Sequence, residues 1–290
     1  MCERDQLDQW SRSGEFDWTL NRRNFALGSM AMLAACATAP AADGGALAEE
    51  QVRFPTPDGT VDAFFVRPAE GRHPAILTWP DIAGLREAFE VMARRLAGQG
   101  YAVLVVNPYY RSAPAPQFND FAAFVAQGGF EKVGPWRSAL TSNAVQRDAK
   151  AAIAWLDARR DVDTSRGAGT HGYCMGGPFT VWTAAAVPGR VRAAASLHGG
   201  GLVQADDPQS PHNLLGETQA GYMFAIAQDD DAEVPGVKTG LRAAAAAAAR
   251  PAEVEVYPAK HGWTVIDSPS YDAAAAERAW ERMSALFSAL

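Results

Sequence analysis

The stretch HGYCMGG, residues 171–177, joins a β-like run of small residues to a helix-like run. At its centre Cys174 lies between Gly172 and Gly176 in a G-x-C-x-G pattern. This spacing predicts a sharp strand-to-helix turn, because such a turn leaves no room for side chains two positions from its apex. The dipole of the following helix favours a thiolate at the apex. The pattern therefore indicates a nucleophilic cysteine; a buried structural cysteine is the alternative.

Short apolar runs alternate with helical stretches on both sides of this turn. Such runs are typical of parallel strands that are buried on both faces. The runs are residues 75–78, 102–106, 167–171, 193–197, 222–226 and 254–257. The helical stretches are residues 86–99, 143–159, 177–186, 237–249 and 271–289. The alternation predicts an α/β fold with a doubly wound, mostly parallel sheet and helices on both faces.

The first part of the domain has a different pattern. Residues 51–54 and 61–66 resemble strands joined by the turn Pro57-Asp58-Gly59, which predicts an antiparallel hairpin at an edge of the sheet. Residues 108–136 are rich in Pro, Gly, Phe and Asn and lack clear periodicity. We expect this stretch to be irregular and to cover one side of a pocket.

Composition limits the classes of function. The 290 residues are 48% hydrophobic, so residues 46–290 can form one domain with a substantial core, and we expect it to be monomeric. The net charge of −7 and the lack of a basic cluster argue against nucleic-acid binding. Cys174 is the only cysteine in this domain, so no internal disulfide is predicted.

Residues 1–45 resemble an export leader followed by a linker. As in a twin-arginine signal, Arg22-Arg23 precedes an apolar stretch at residues 26–37, which is too short for a comfortable bilayer span. Cys36 ends the tetrapeptide Leu-Ala-Ala-Cys, which resembles a lipobox whose cysteine is acylated; a peptidase site at residues 37–39 is the alternative. We expect export to the periplasm, with a lipid anchor through Cys36 if it is acylated, and a cytoplasmic location if the leader is not functional.

A cysteine nucleophile needs a base and a group that orients the base. In an α/β-hydrolase arrangement the acid and then the histidine follow the nucleophile, each on a loop after a later strand. His261 is the only histidine after the predicted acid loop. In that loop Asp230 best fits the common G-x-x-D pattern, with Ala227 in the glycine position. Asp231 is the alternative acid, and Asp229 would shape the turn.

Several other side chains are candidate substrate contacts. His198 ends an apolar run beside three glycines, and it either lines the pocket or has a structural role. Trp263 follows the predicted base, and Phe118, Phe121 and Phe124 lie in the irregular stretch. These aromatic side chains form either apolar walls of the pocket or part of the core.

From about Val52 to the C-terminus, the chain resembles the dienelactone hydrolase family of α/β-hydrolases. The most characteristic motif is GYCMGG at residues 172–177, and residues 74–84, residues 100–111 and the histidine loop also resemble the family. The resemblance implies hydrolysis of a small-molecule ester or lactone, with no metal or organic cofactor.

The resemblance also implies the roles of particular residues. It implies a catalytic triad formed by Cys174, His261 and Asp230. It further implies an oxyanion hole made by the backbone N–H groups of Met175 and Ile82, which would stabilise the negative charge of a tetrahedral intermediate.

The sequence departs from the family pattern at two places. Family members typically carry a glutamate that contacts the resting thiol and helps to deprotonate it, and here Asp81 takes its place. We predict that Asp81 lies near the sulfur and influences its ionisation. Members that cleave dienelactones also bind the substrate carboxylate with two arginines, neither of which is evident here. Arg111 or Arg137 could substitute for them; without such a cation, we expect a preference for neutral acyl groups.

Two other functions are compatible with the same residues. A thioesterase or acyl-transfer enzyme would use the same thiolate, because thiolates attack such carbonyls readily. A non-catalytic exported binding protein would keep the fold without the chemistry.

Overall fold

The fold is built on one eight-stranded sheet. Its strands are β1 (Leu47–Thr56), β2 (Gly59–Pro68), β3 (Ala75–Trp79), β4 (Ala102–Val106), β5 (Ala168–Tyr173), β6 (Val191–Leu197), β7 (Gly221–Ala227) and β8 (Ala252–Tyr257). The computed structural model describes residues 45–290 and orders them β1-β2-β4-β3-β5-β6-β7-β8. β3 to β8 run parallel, whereas β2 is antiparallel to both β1 and β4. The predicted sheet and its N-terminal hairpin are therefore confirmed. The leader predictions, including Arg22-Arg23 and Cys36, lie outside the described residues.

Helices connect the parallel strands. Within residues 45–290 they are α1 (Glu87–Ala97), α2 (Phe121–Ala126), α3 (Gly129–Ser138), α4 (Ser142–Asp157), α5 (Gly177–Ala186), α6 (Pro211–Leu214), α7 (Gln228–Glu233), α8 (Gly236–Ala247) and α9 (Ala273–Phe287). The predicted helical stretches correspond to α1, α4, α5, α8 and α9. None of the helices in this range has both the length and the apolar character that a membrane crossing requires.

The core lies on both faces of the sheet, because successive strand residues point to opposite faces. Along β3, Leu77 belongs to one hydrophobic cluster and Ile76 to the other. The first cluster contains Val181 of α5, and the second contains Phe89 of α1 and Met283 of α9. Since helices cover both faces, β3 and β4 are fully buried, which explains why β4 is apolar throughout and β3 is apolar except for Thr78.

The hairpin turn forms where its sequence predicts it. β1 and β2 pair down to Thr56 opposite Gly59, and Gly59 has a φ of 142°, which favours glycine. The backbone N–H of Asp58 donates to Thr56 Oγ1 at 3.1 Å. β1 begins at Leu47, four residues before the predicted strand, because it pairs with β2 along the whole of β2.

Residues 108–136 are less irregular than their sequence suggests, because α2 and most of α3 lie there. Asp120 caps α2 by accepting the N–H of Ala123 at 2.7 Å, and Gly128 turns the chain with a φ of 66°. A Cβ at Gly129 would meet the ring of Phe124 at 2.2 Å, so glycine allows the two helices to pack closely. These helices are short, and α3 contains a proline, so no helical period is visible in the sequence.

Three phenylalanines of this stretch belong to the core and do not line the pocket. Phe118, Phe121 and Phe124 are buried, and the first and second each pack on the ring of Phe124, with centroids 5.1 and 5.4 Å apart. Of the two roles that the sequence allowed for them, the structure supports the core.

Candidate active site

The predicted turn around Cys174 is present at the carboxyl end of β5. The strand ends at Tyr173, Cys174 has a φ of 51° in the left-handed region, and α5 begins three residues later. A Cβ on Gly172 would lie 2.0 Å from the carbonyl oxygen of Gly176, and a Cβ on Gly176 would lie 2.4 Å from that of Trp79. Both positions therefore require glycine, and the turn holds Cys174 at the start of a helix in a strained conformation.

His261 and Asp230 follow neighbouring strands at the same edge of the sheet. Asp230 is in the first turn of α7, directly after β7, and His261 lies in the loop after β8. His261 Nδ1 is 2.8 Å from Asp230 Oδ2 and 3.0 Å from Oδ1. The ring of His261 is also hydrogen-bonded to Cys174. The structure thus brings together the three side chains that the sequence singled out.

The charge of His261 depends on these two partners. Burial by itself lowers the pKa of His261, but the negative charge of Cys174 and the hydrogen bond to Asp230 raise it to about 10. At neutral pH the arrangement therefore favours an imidazolium between two anionic groups. A cysteine in this setting is prepared for nucleophilic attack, and the proton on His261 is available for transfer.

Three successive aspartates in α7 have three different partners. Asp229 accepts the backbone N–H of His261 at 2.9 and 3.2 Å, whereas Asp230 binds the His261 ring. Asp231 accepts from the ammonium group of Lys238 at 2.6 Å. The alternative acid therefore points away from the histidine. The backbone contact of Asp229 was missed by sequence reasoning, because nothing local predicts which loop packs beside it.

The two proposed oxyanion-hole residues lie beside Cys174. Met175 follows it in the turn and Ile82 lies just after β3, and all three line the same cavity. The hydroxyl of Tyr109 is 2.8 Å from the carbonyl oxygen of Ile82, to which it can donate, and 3.3 Å from Met175 Sδ. Tyr109 therefore ties together the two chain segments. Its only sequence signal was its place in residues 100–111, which resemble the family.

Asp81 is buried near Cys174 but is bound to a different partner. Its two carboxylate oxygens accept hydrogen bonds from Arg86 at 2.8 and 2.9 Å. Arg86 also donates two bonds of 2.7 Å to Asp267. Burial raises the pKa of Asp81, Arg86 opposes this, and the charge of Cys174 adds to the rise. Asp81 is thus coupled electrostatically to the sulfur, while its oxygens are held by an arginine that sequence reasoning did not identify.

A cavity of about 300 Å³ opens beside Cys174. Apolar and aromatic side chains form most of its wall, and polar ones lie among them. The apolar group includes Ile82, Leu140, Met175, Pro178, Phe179, Trp182 and Pro211; the polar group is Arg137, Gln204 and Asp207. Within residues 45–290, no three His, Cys, Asp or Glu side chains are arranged to hold a metal ion. The cavity suits an apolar acyl group next to the sulfur.

The two candidate arginines have different surroundings. Arg111 donates to Asp148 and to Asp58 at 2.7 Å, and it does not line the cavity. Arg137 does line it and is exposed, and its side chain has no hydrogen-bond or ion-pair partner within residues 45–290. The proposed substrate contact of Arg111 is therefore not supported by its position.

His198 and Trp263 are buried behind His261 and do not line the cavity. The ring of His198 lies 4.8 Å from that of His261 and 5.2 Å from that of Trp263, and Trp263 stacks on Tyr257 at 5.2 Å. Direct substrate contact, which the sequence allowed for both, does not fit these positions. The loop brings His261 against Cys174 and packs Trp263 into the core.

Comparison with known proteins agrees with this description. The sequence matches the dienelactone hydrolase family over residues 61–290. A relative from Methylorubrum extorquens, named "Putative carboxymethylenebutenolidase", is 29% identical over 280 residues and covers 93% of each chain. A relative of the same name from Escherichia coli K12 is 29% identical over 236 residues, covering 79% of this chain and 83% of the relative.

A solved structure has the same fold. It is that of a "Putative Dienelactone Hydrolase" from Klebsiella pneumoniae, with a TM-score of 0.72 and 25% identity. The match covers 85% of this chain and 100% of that one.

Proposed function

This chain is a member of the dienelactone hydrolase family and a hydrolase of ester or lactone bonds, in which we propose that Cys174, His261 and Asp230 carry out the cleavage. The observation that supports this most directly is the position of His261, which is bonded to Asp230 through Nδ1 and to Cys174 through its ring. A base bonded to both its nucleophile and its orienting acid is the arrangement that acyl transfer requires.

The reaction begins with attack of the Cys174 sulfur on the carbonyl carbon of the substrate. The carbonyl oxygen takes up the negative charge and is stabilised by the backbone N–H groups of Met175 and Ile82. When the carbon–oxygen bond to the leaving group breaks, His261 gives its proton to the departing alkoxide. A thioester between the acyl group and Cys174 remains.

Water completes the cycle. His261, now neutral, takes a proton from the water that attacks the thioester, and the acid is released as the sulfur leaves as thiolate. Asp230 keeps the proton of His261 on Nδ1, so that the other ring nitrogen faces the sulfur and the water. Every proton is returned, and no external reductant or oxidant is needed.

Neutral acyl groups are the preferred substrates in this proposal. The wall of the cavity beside Cys174 is mainly apolar, and among residues 45–290 Arg137 is its only arginine. Because Arg137 is exposed, its pairing with a substrate carboxylate is screened by water and contributes about 1 kcal/mol or less. A carboxylate that enters the apolar part would lose hydration without a buried partner.

Turnover of a matched panel tests the proposal. The panel contains a short neutral ester, a lactone, a carboxylate-bearing lactone of equal size and an acyl thioester. We expect the highest kcat/KM on the neutral ester or lactone, and no detectable turnover in folded Cys174→Ala. Faster turnover of the thioester would favour the thioesterase alternative, and normal turnover in Cys174→Ala would contradict the proposal.

Thiol alkylation distinguishes an enzyme from a binding protein with the same fold. A free cysteine has a pKa of about 8.5 and reacts with iodoacetamide near that pH. Because an imidazolium lies beside it, Cys174 should react at a much lower pH. An inert thiol across this range would indicate a structural cysteine.

A further inference from the structure

His198 ends β6 in a backbone conformation that is unusual for a residue with a side chain. Its φ is 41°, in the left-handed region, where histidine is found more often than most residues but still at some cost in energy. Its backbone N–H donates to the carbonyl oxygen of Ala225 in β7 at 2.8 Å. The side chain is 1% exposed. The surrounding structure therefore holds the imidazole of His198 in one place.

The imidazole of His198 contacts the loop that carries the proposed base. Its ring packs against His261 with centroids 4.8 Å apart and planes at 62°, and against Trp263 at 5.2 Å and 63°. His198 Nε2 is 2.9 Å from Thr264 Oγ1. Three of four consecutive residues in this loop thus touch one side chain. Edge-to-face packing of this kind restricts the rotation of both rings.

The charge of His198 suits this position. Burial lowers the pKa of His198 well below its usual value, and the neighbouring charge of His261 lowers it further. The other titratable side chain that packs against its ring is Tyr173 of β5, with centroids 6.1 Å apart, and burial raises the pKa of that phenol. His198 is thus neutral, so it does not repel the His261 imidazolium.

We propose that His198 is a positioning residue for His261: the neutral imidazole, held by Thr264, fixes the plane of the His261 ring between Asp230 and Cys174. The proposal rests on the proposed function of His261 as base. It assigns to His198 an effect on catalysis although His198 lies outside the cavity and does not contact substrate. Small losses of alignment in a catalytic unit reduce the rate strongly, whereas substrate binding is affected little.

Thr264→Val is the sharpest test, because it removes the hydroxyl that holds His198 and nearly preserves the shape. We expect kcat on a neutral ester to fall about tenfold with KM nearly unchanged. The pH of half-maximal alkylation of Cys174 should move upward, because a less well aligned imidazolium stabilises the thiolate less. Thr264→Ser restores a hydroxyl and should recover most of the lost kcat.

Substitutions of His198 itself complete the test. His198→Phe keeps an aromatic ring but removes the hydrogen bond, and His198→Asn tolerates the left-handed backbone but removes the ring. Each should lower kcat at least as much as Thr264→Val does. Thermal unfolding of each variant, followed by circular dichroism, distinguishes loss of fold from loss of alignment.

The outcomes separate this inference from the proposed function. Wild-type kcat and an unchanged alkylation profile in folded Thr264→Val would overturn the positioning role, as would a lower melting temperature with no change in kcat. Turnover by Cys174→Ala in the same assays would instead contradict the proposed function, whatever His198 does.

Discussion

Two charged clusters lie at the carboxyl edge of the parallel strands, and they differ in the kind of cation they contain. In one, Arg86 binds Asp81 at 2.8 Å; in the other, His261 binds Asp230 at the same distance. The guanidinium stays protonated at every relevant pH, whereas an imidazole can gain and lose its proton. Similar ion-pair geometry thus provides a fixed charge in one cluster and a titratable charge in the other.

The surroundings of the two clusters strengthen this difference. The side chain of Arg86 is fully buried and is shared between Asp81 and Asp267, so its charge is balanced without Cys174. His261 has Asp230 on one side and the sulfur on the other. Removing a carboxylate should therefore affect mainly stability in the first cluster and mainly reaction rate in the second.

The largest expected effect concerns the acid beside His261. Asp230→Asn should lower kcat on a neutral ester by about 10³- to 10⁴-fold, because the amide no longer holds the His261 proton on Nδ1. Asp231→Asn is the matched control; its partner is Lys238, so kcat should change little. Steady-state kinetics on both purified variants checks the ranking. The reverse ranking would transfer the role of acid to Asp231.

The next largest effect is on stability and concerns the cluster that contains Arg86. Asp81→Asn leaves the buried Arg86 with Asp267 as its remaining anion, so the free energy of unfolding should fall by about 3 kcal/mol. The sequence predicts that Asp81 influences the ionisation of Cys174; the ion pair with Arg86 leads us to expect a larger effect on stability than on this ionisation. Urea unfolding and the pH profile of iodoacetamide alkylation measure the two quantities. A large alkylation shift in a variant of normal stability would contradict this.

A smaller effect is the dependence of stability on pH through His261. The pKa of His261 is about 10 in the folded state, above the value of about 6.5 for a free histidine. Its stabilising contribution is therefore complete below pH 6.5 and is lost as the pH rises through about 10, with a slope of up to about 1.4 kcal/mol per pH unit. Urea unfolding of the native chain and of His261→Gln from pH 6 to pH 10 measures the difference.

Cys174→Ala serves as the control for this pH dependence. It removes one of the charges that raise the pKa of His261. In chains that carry Cys174→Ala, the difference in free energy of unfolding with and without His261→Gln should therefore vanish at a lower pH. Arg86 contributes no slope in this range, because its pKa lies far above it. A constant difference from pH 6 to pH 10 would mean that His261 is not charged in the folded state.

The smallest expected effect is on substrate selectivity and concerns Arg111 and Arg137, the two candidate arginines for a substrate carboxylate. Arg137→Gln should lower kcat/KM on a carboxylate-bearing lactone by less than about tenfold relative to a neutral one, since the exposed cation is screened. Arg111→Gln should leave this ratio unchanged, because Arg111 is paired with Asp148 and Asp58. Competition between the two substrates gives the ratio directly. A change larger than a hundredfold would make Arg137 the main determinant of selectivity.

Local sequence patterns predicted the elements that carry the site. The alternation of apolar runs and helical stretches predicted the sheet, and glycines at 172 and 176 predicted the turn at Cys174, because both signals depend on neighbouring residues alone. The stretch at residues 108–136 was predicted to be irregular, since helices as short as α2 show no clear period.

The sequence by itself determined the order of strands and helices, the turn at Cys174 and the places of Asp230 and His261 after the last two strands. Periodicity and the steric demands of a turn are local properties, so a linear pattern specifies them. Only the tertiary structure decided that Arg86 binds Asp267, 181 residues away, that His198 packs on His261, and that Arg137 lines the cavity. Such partners are chosen by packing between distant segments, and local sequence holds no record of that proximity.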